Sequence, residues 1–337
     1  VAPARKRVVV TGGAGYIGSH MVVALSEAGY APVIVDDFRN AEPFIAERLG
    51  VPIERGGTHD SEFLEDVFAR HTPVAVMHFA ASAYVGESVR DPGAYFQNNV
   101  SGTLGLLESM RCAGIHRLVF SSTCATFGTP DADSIDESTP QRPINPYGQS
   151  KRMVEEILRE YDRAYGFRSI VFRYFNAAGA HPTAPIGENH LPETHLVPLA
   201  IAAAMGGPPL SVFGDDYPTP DGTCVRDYVH VCDLASAHLL GLDRLLSTDP
   251  EDGASDAFNL GTGRGHSVRE VVAAVEKASG ARVPVAMAPR RPGDPAALVA
   301  NPDKARRDLG WTPKYPSLDA IVETAWRWHA SRRDQAD

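Results

Sequence analysis

Cysteine is scarce in this chain and positive charge is outnumbered. Four cysteines, Cys112, Cys124, Cys224 and Cys232, stand among 337 residues, and no two form a Cys-x-x-Cys pair. That is too few for a disulfide framework, and the thiols read as reduced residues of a cytoplasmic protein. Lysine and arginine number 32 against 42 aspartate and glutamate, a formal charge of −10. Such a balance argues against a general binder of nucleic acid or of membrane surfaces, although a few arginines in one pocket can still hold a small anion. Long apolar runs are missing too, so no segment is expected to span a bilayer. The first seven residues are short and basic, and they lead straight into Val8-Val9-Val10 without an apolar leader or a cleavage site. Repeats and low-complexity tracts are absent, and the sequon Asn99-Val100-Ser101 is read as chance.

What is present is ordinary globular composition, 43% apolar and 22% charged. A chain of this length can bury about three quarters of its unfolded surface without a disulfide or metal staple. Short β-branched runs at 8–11, 33–36, 74–78, 118–122 and 169–173 alternate with helical patterns at 15–28, 61–70, 95–113 and 147–165. Alternation of this kind predicts a Rossmann-type, doubly wound parallel sheet covered by helices. Beyond about Asn176, proline and glycine crowd the chain and the elements shorten, with helical patterns returning at 231–246, 267–279 and 317–330. The expected division is a dinucleotide-binding domain over 1–175, rejoined by segments near 225–262, and a smaller mixed α/β substrate lobe over 176–337.

Val8-Val9-Val10-Thr11-Gly12-Gly13-Ala14-Gly15-Tyr16-Ile17-Gly18-Ser19 reads as a strand, a glycine turn and a helix start. Small residues let backbone approach a pyrophosphate, which then sits on the free amides of the helix N-terminus. No Lys-Ser/Thr follows the last glycine, so a nucleoside-triphosphate loop is excluded. The next strand ends in Asp36, at the distance expected for a carboxylate on the adenosine ribose. Asp36 and Asp37 would repel a 2′-phosphate, which favours NAD over NADP, with Arg39 nearby as the opposing feature. A plain structural turn followed by a solvated acidic turn is the bland alternative.

Tyr147-Gly148-Gln149-Ser150-Lys151 follows Pro143-Ile144-Asn145-Pro146, a natural helix entry. A spacing of four puts Tyr147 and Lys151 on one helical face. An ammonium near the phenol, and a positively charged nicotinamide, are both expected to lower its pKa from about 10 towards neutrality. The tyrosine can then act as a general base on a sugar hydroxyl. Thr123 ends the run Ser121-Ser122-Thr123, at the carboxyl edge of a central strand where such sheets bind ligands.

With these blocks in place, the chain resembles the extended short-chain dehydrogenase/reductase superfamily and, within it, the UDP-glucose 4-epimerases. The resemblance extends through His78-Phe79-Ala80-Ala81, Val85-Gly86-Glu87-Ser88, Asn98-Asn99-Val100, Arg173-Tyr174-Phe175-Asn176, the run from Asp221 to Tyr228, Asn259-Leu260-Gly261, and the block from Ala288 to Asp294. It implies an NAD-dependent inversion at C4 of a UDP-sugar through a transient 4-keto species, with Tyr147 as base, Thr123 assisting and Lys151 on the nicotinamide ribose. It also implies cofactor contacts from Gly12, Gly15, Tyr16, Ile17, Gly18, Asp36, Asp37, Asn40, Thr58, Phe79, Ala80, Ala81, Asn98, Ser121 and Phe175. Substrate contacts are implied at Asn176, His195, Leu196, Ser211, Val212, Phe213, Asp294 and Leu298, with Arg226 and Arg291 as guanidinium partners of the diphosphate.

The resemblance separates epimerases from related dehydratases and decarboxylases, which carry an acid just after the catalytic Ser/Thr. Here Thr123 precedes Cys124-Ala125-Thr126. UDP-glucose and UDP-galactose are the first expectation. UDP-xylose/UDP-arabinose or UDP-N-acetylhexosamine is the alternative, and a non-catalytic NAD-binding sensor a distant one. A homodimer pairing 95–113 and 147–165 is implied as well. Departures from the pattern are Ala83 in place of a pyrophosphate lysine, Gly57 in place of an adenine-site aspartate, and Leu298 at the position that gates the sugar pocket. His190, Glu193 and His195 could suggest a metal, but Pro192 breaks the helix that a ligand face requires, so none is expected. Cys124 is read as a buried inert thiol, and Trp326 and Trp328 as core or interface.

Overall fold

The structure is a computed structural model that describes residues 5–190, 192–247, 255–291 and 294–333. Leu191, Pro292 and Gly293, which belong to segments singled out above, lie outside the described residues. In chain order the elements begin with β1 (Arg7–Thr11), α1 (Tyr16–Glu27), β2 (Ala31–Asp36), α2 (Pro43–Arg48), β3 (Ile53–Arg55), α3 (Ser61–His71) and β4 (Ala75–His78). Then come α4 (Val85–Arg90), α5 (Pro92–Tyr95), a π-helical turn over Phe96–Ser101, α6 (Gly102–Cys112), β5 (Arg117–Thr123), α7 (Pro146–Tyr165) and β6 (Arg168–Tyr174). The remainder comprises β7 (Asn176–Ala178), α8 (Leu196–Ala204), β8 (Leu210–Phe213), β9 (Val225–His230), α9 (Val231–Ser247), β10 (Asp256–Leu260) and β11 (Gly265–Ser267). It ends with α10 (Val268–Ser279), β12 (Val285–Ala288), β13 (Ala297–Leu298), α11 (Asp303–Leu309) and α12 (Leu318–Arg333).

Two compact units result. The first comprises Val1–Gly128, Pro140–Arg173 and Ala235–Phe258, and the second Thr129–Thr139, Tyr174–Leu234 and Asn259–Asp337. The first is built on a seven-stranded sheet of order β10-β6-β5-β4-β1-β2-β3, with β1–β2, β1–β4, β2–β3 and β4–β5 parallel. The order reverses at β1, whose neighbours are β2 on one side and β4 on the other. That is the switch point at which such sheets take a dinucleotide. Central strands are continuous apolar runs because helices cover both faces. Val9, Val33, Val76, Leu118, Phe120, Leu64, Phe68, Leu107 and Val154 form one buried cluster.

Where 95–113 was expected as a single helix, α5, the π turn and α6 follow one another. The wide turn holds Asn98 and Asn99, and Asn99 spends its amide on Ser82 and Ser150, as single π turns near functional loops commonly do. The three-residue edge strand β3 carries too little hydrophobic pattern to read from sequence. In the second unit β9 pairs with β7, β11 and β13, and β8 pairs in parallel with β12. Its core gathers Val197, Ile201, Leu210, Val271, Val275, Ile321 and Val322 from β8, α8, α10 and α12. Helix α10 has a complete capping box, Ser267 with Glu270. No described helix is long and apolar enough to cross a membrane.

Candidate active site

At the end of β1 the chain turns through Gly12 at φ +69°, where a Cβ would lie 2.6 Å from the Ala80 nitrogen. A Cβ on Gly18 would lie 2.1 Å from the Gly12 carbonyl oxygen, so only glycine lets α1 sit this close to the turn. Phe79 and Ala80 donate their amides to Thr11 O at 2.9 and 3.1 Å, which seats the loop after β4 beside the glycine turn. Gly15 is the N-cap of α1 and provides no side-chain cap, while Tyr16 and Gly18 are buried and Ile17 is half-buried. This turn has the backbone amides and the small-residue cradle that a pyrophosphate requires.

Asp36, buried at the end of β2, accepts Ala14 N at 3.0 Å and Phe38 N at 2.9 Å, one on each carboxylate oxygen. Burial nevertheless raises its pKa. Each oxygen keeps a further lone pair for a ribose hydroxyl, so the residues present fit NAD. Exposed Arg39, the one feature that opposed NAD, is paired with Asp37 at 3.2 Å. Asn40 is exposed in the same turn. Thr58 is buried against α6, where a Cβ on Gly102 would come within 2.8 Å of its hydroxyl. The aspartate missing at position 57 has a steric counterpart: a Cβ there would lie 2.5 Å from the His59 ring. Ala83 is exposed. The loop carrying Ala81 and Ser82 is clamped by Asn99, whose amide accepts Ser82 N at 2.8 Å and donates to Ser82 O at 2.9 Å. Asn98 donates to Ser82 Oγ at 3.2 Å.

Helix α7 starts with Asn145 accepting Gly148 N at 2.8 Å and with Pro146 in its first turn. A Cβ on Gly148 would lie 2.4 Å from Ala125 O, so the helix start lies directly against the turn after β5. This close approach brings the Tyr147 phenol beside the Thr123 side chain. Lys151, 3% exposed, donates to Ser121 O at 2.8 Å and sits 4.8 Å over the Phe120 ring. The trio expected from sequence is therefore assembled within one unit.

Its electrostatics differ from expectation. Burial pushes the Tyr147 phenol up to about 12, with the Thr123 side chain opposing, and burial pushes Lys151 down to about 7, with Glu155 opposing. Desolvation penalises whichever form is charged, so the protein alone drives both groups towards neutrality rather than towards a phenolate–ammonium pair. His78, bonded to Thr11 Oγ1 at 2.6 Å and Thr103 Oγ1 at 2.9 Å, is held neutral, its pKa lowered to about 3 by burial and by the Lys151 charge.

The second unit holds the residues expected for the nucleotide. Asn176 Nδ2 donates to Asp227 O at 3.1 Å. Ser211 is exposed on β8, Val212 is buried, and Phe213 carries the Arg291 guanidinium 3.9 Å over its ring. Arg226 is held by an ion pair with Asp294 and by the carbonyls of Pro295 and Val225, at 2.8 and 2.6 Å. Leu298 is buried on β13 beside Arg226. Phe175 is buried too, and its amide donates to Leu260 O at 3.1 Å.

His195 precedes α8, which begins at Leu196, and binds Glu188. With His190 and Glu193, these residues bring four donor atoms within 4.8 Å of one another, although Pro192 rules out a helical ligand face. The arrangement is an ion-pair cluster. Glu188 is lowered to about 2 by its histidines despite burial, and His195 is raised to about 9 by the two glutamates. Sequence reasoning did not single out Glu155 or Glu188, and it gave Asn99 no role beyond its place in the Asn98-Asn99-Val100 block. For Glu155 a signal existed, the i, i+4 spacing from Lys151.

The family model for GDP-mannose 4,6 dehydratase matches residues 9–324. A UDP-glucose 4-epimerase of Rhizobium meliloti (strain 1021) is 53% identical over 330 residues, covering 97% of this chain and 98% of that protein. The crystal structure of UDP-glucose 4-epimerase from Brucella ovis in complex with NAD is 48% identical with a TM-score of 0.91, covering 96% of this chain and 98% of that one. That of the Stenotrophomonas maltophila enzyme, with bound NAD and formylated UDP-arabinopyranose, is 40% identical with a TM-score of 0.93, covering 98% and 100%. A chain with this glycine turn, this carboxylate at the end of β2 and the Thr123–Tyr147–Lys151 trio is similar to these proteins along nearly its whole length, and it belongs to the UDP-glucose 4-epimerase family.

Proposed function

We propose that the chain interconverts UDP-glucose and UDP-galactose by inverting C4, with NAD as cofactor. The observation that carries this reading is the placing of Thr123, at the carboxyl end of β5, beside Tyr147 at the start of α7, with Lys151 one helical turn along and no carboxylate next to Thr123. Gly12, Gly15 and Gly18 cradle the pyrophosphate, and Asp36 takes the adenosine ribose. NAD supplies a reversible hydride acceptor when bound. Tyr147 takes the proton of the sugar 4-hydroxyl, held in line by Thr123, and returns it when the alcohol re-forms. Because burial drives Tyr147 up to about 12, its phenolate has to be stabilised by positive charge introduced beside it, with Lys151 protonated. Asn176, Leu196, Ser211, Val212 and Phe213 are assigned to uridine, with His195 at its edge. Arg226 and Arg291 are assigned to the diphosphate, and Asp294 positions Arg226. Leu298 bounds the sugar.

The chain is further proposed to act as a homodimer through α6 and α7, which Tyr161 and Glu108 tie side by side at 2.5 Å. Four free cysteines support a reducing, cytoplasmic setting. A pentose reading draws support from the UDP-arabinopyranose derivative bound by the Stenotrophomonas relative. The test is incubation of the purified chain with UDP-galactose, UDP-N-acetylgalactosamine and UDP-arabinose separately, without added cofactor. Inversion of UDP-galactose is expected, with NAD in the denatured supernatant. Tyr147→Phe is expected to slow turnover by at least about 100-fold with cofactor content unchanged. No inversion of any of the three overturns the reading.

A further inference from the structure

We propose that Glu155 is a positioning residue for the reaction: from the same face of α7 as Lys151 and Tyr147, it fixes the end of β5 that carries Thr123 and places a negative charge one helical turn from Lys151. This rests on the epimerase reading for the roles of Thr123, Tyr147 and Lys151, and adds to it a residue that touches neither sugar nor cofactor. Glu155 is 2% exposed and lies one helical turn beyond Lys151. Its Oε1 accepts Ser122 Oγ at 2.6 Å, while Lys151 Nζ donates to Ser121 O at 2.8 Å. Two side chains of opposite charge therefore fasten α7 to consecutive residues of β5, and the next residue is Thr123.

Glu155 is itself rigidly held. Arg173 on β6 approaches it with Nε at 3.1 and 3.2 Å and Nη2 at 2.7 Å, and Gln141 Nε2 donates to Oε2 at 3.0 Å. A carboxylate bonded from three directions has little freedom to relax, so it transmits its position to Ser122. The groups that face Lys151 come from several elements: Glu155 on α7, His78 on β4, and the Ser121 carbonyl and Phe120 ring on β5, while Arg173 on β6 meets Glu155. His78 is neutral and Arg173 is positive, which leaves Glu155 as the carboxylate in this set. Burial pulls the Lys151 pKa down and the Glu155 charge pushes it back.

The test separates charge from position. Glu155→Gln alone strands the buried Arg173 charge and can fail to fold, so the informative variant is Glu155→Gln with Arg173→Met, which removes both charges together. Ser122→Ala removes the bond to β5 and leaves the charges. With the full chain labelled by [ε-13C]lysine, Lys151 is one of five lysines and is assigned by Lys151→Met. Its titration midpoint is expected to fall by at least about 1 pH unit in the double variant and to stay fixed in Ser122→Ala. The alkaline limb of kcat should move down with it. Ser122→Ala should lower kcat about tenfold with KM nearly unchanged. A folded double variant with wild-type midpoint and kcat overturns the proposal, as does a Ser122→Ala enzyme with wild-type kcat. If the wild type inverts no sugar, the epimerase reading fails, while the Lys151 midpoint still decides whether Glu155 sustains its charge.

Discussion

Among the described residues each unit buries one glutamate almost completely, Glu155 at 2% and Glu188 at 3% exposure, and each answers the charge differently. Glu155 is met by Arg173, a guanidinium that stays protonated at any working pH. Glu188 is met by His190 and by His195, whose imidazole can lose its proton and whose side chain is 48% exposed. The first unit meets its buried glutamate with a permanent charge. The second places titratable charge beside the residues proposed for the nucleotide. A centre that has to keep Tyr147 and Lys151 in register gains from permanent partners, whereas a loop at the entrance to α8 can tolerate a partner that comes and goes.

The sharpest way to break this comparison is to remove one partner from each side. Arg173→Met leaves Glu155 buried with a charge that Ser122 and Gln141 cannot neutralise, and the expected loss is about 3–5 kcal/mol of unfolding free energy. His195→Gln leaves Glu188 next to His190 and removes a partner that is half exposed, so its loss should be nearer about 1 kcal/mol. Urea unfolding of the two variants at pH 7 measures both. Equal losses would mean that the two networks are energetically alike.

Asp36 sharpens the contrast within the first unit, because it is a buried carboxylate matched by amides alone. If Glu155 serves the fold and Asp36 the ligand, Asp36→Asn should leave unfolding nearly unchanged and reduce cofactor retention. An oxygen that bonds ribose hydroxyls through its charge is worth about 1.5 kcal/mol more than a neutral one, or roughly tenfold in affinity. The amount of NAD released on denaturation, compared between variant and wild type, checks this. Undiminished retention would place the ribose elsewhere.

Much of this division is legible in sequence. The glycine turn, Asp36, Thr123, Tyr147 and Lys151 declare themselves because each depends on local spacing: a turn, a strand end, or one helical repeat. What escapes depends on distant pairing. The partners of Glu155 lie 18 residues on and 33 residues back, at Arg173 and Ser122, and only the assembled sheet brings them together. The Glu188 cluster escapes for a different reason. Pro192 excludes a helical ligand face, yet an irregular loop converges equally well when Trp328 bonds its backbone at Glu188 O and Gly187 leaves room for the indole. Burial opposes the lowering of the tyrosine pKa expected from Lys151 and a bound nicotinamide, and it is missed because charge proximity is visible in a spacing of four whereas burial is not.

The smallest effect tests the titratable side directly. The His195 pKa is raised from 6.5 to about 9, so its contribution to stability is complete below 6.5 and is lost as pH rises through about 9. Glu188 is lowered from 4.5 to about 2, so its contribution is complete above 4.5 and is lost as pH falls through about 2. The pair is therefore at full strength between about 4.5 and 6.5 and weakens on the alkaline side first. Half-exposure of His195 screens the interaction, and about 1 kcal/mol is expected between pH 6.5 and 9. Urea unfolding of wild type and His195→Gln across that range isolates it. The two curves should converge as the imidazole loses its proton, and a constant gap would assign the role of His195 to shape rather than charge.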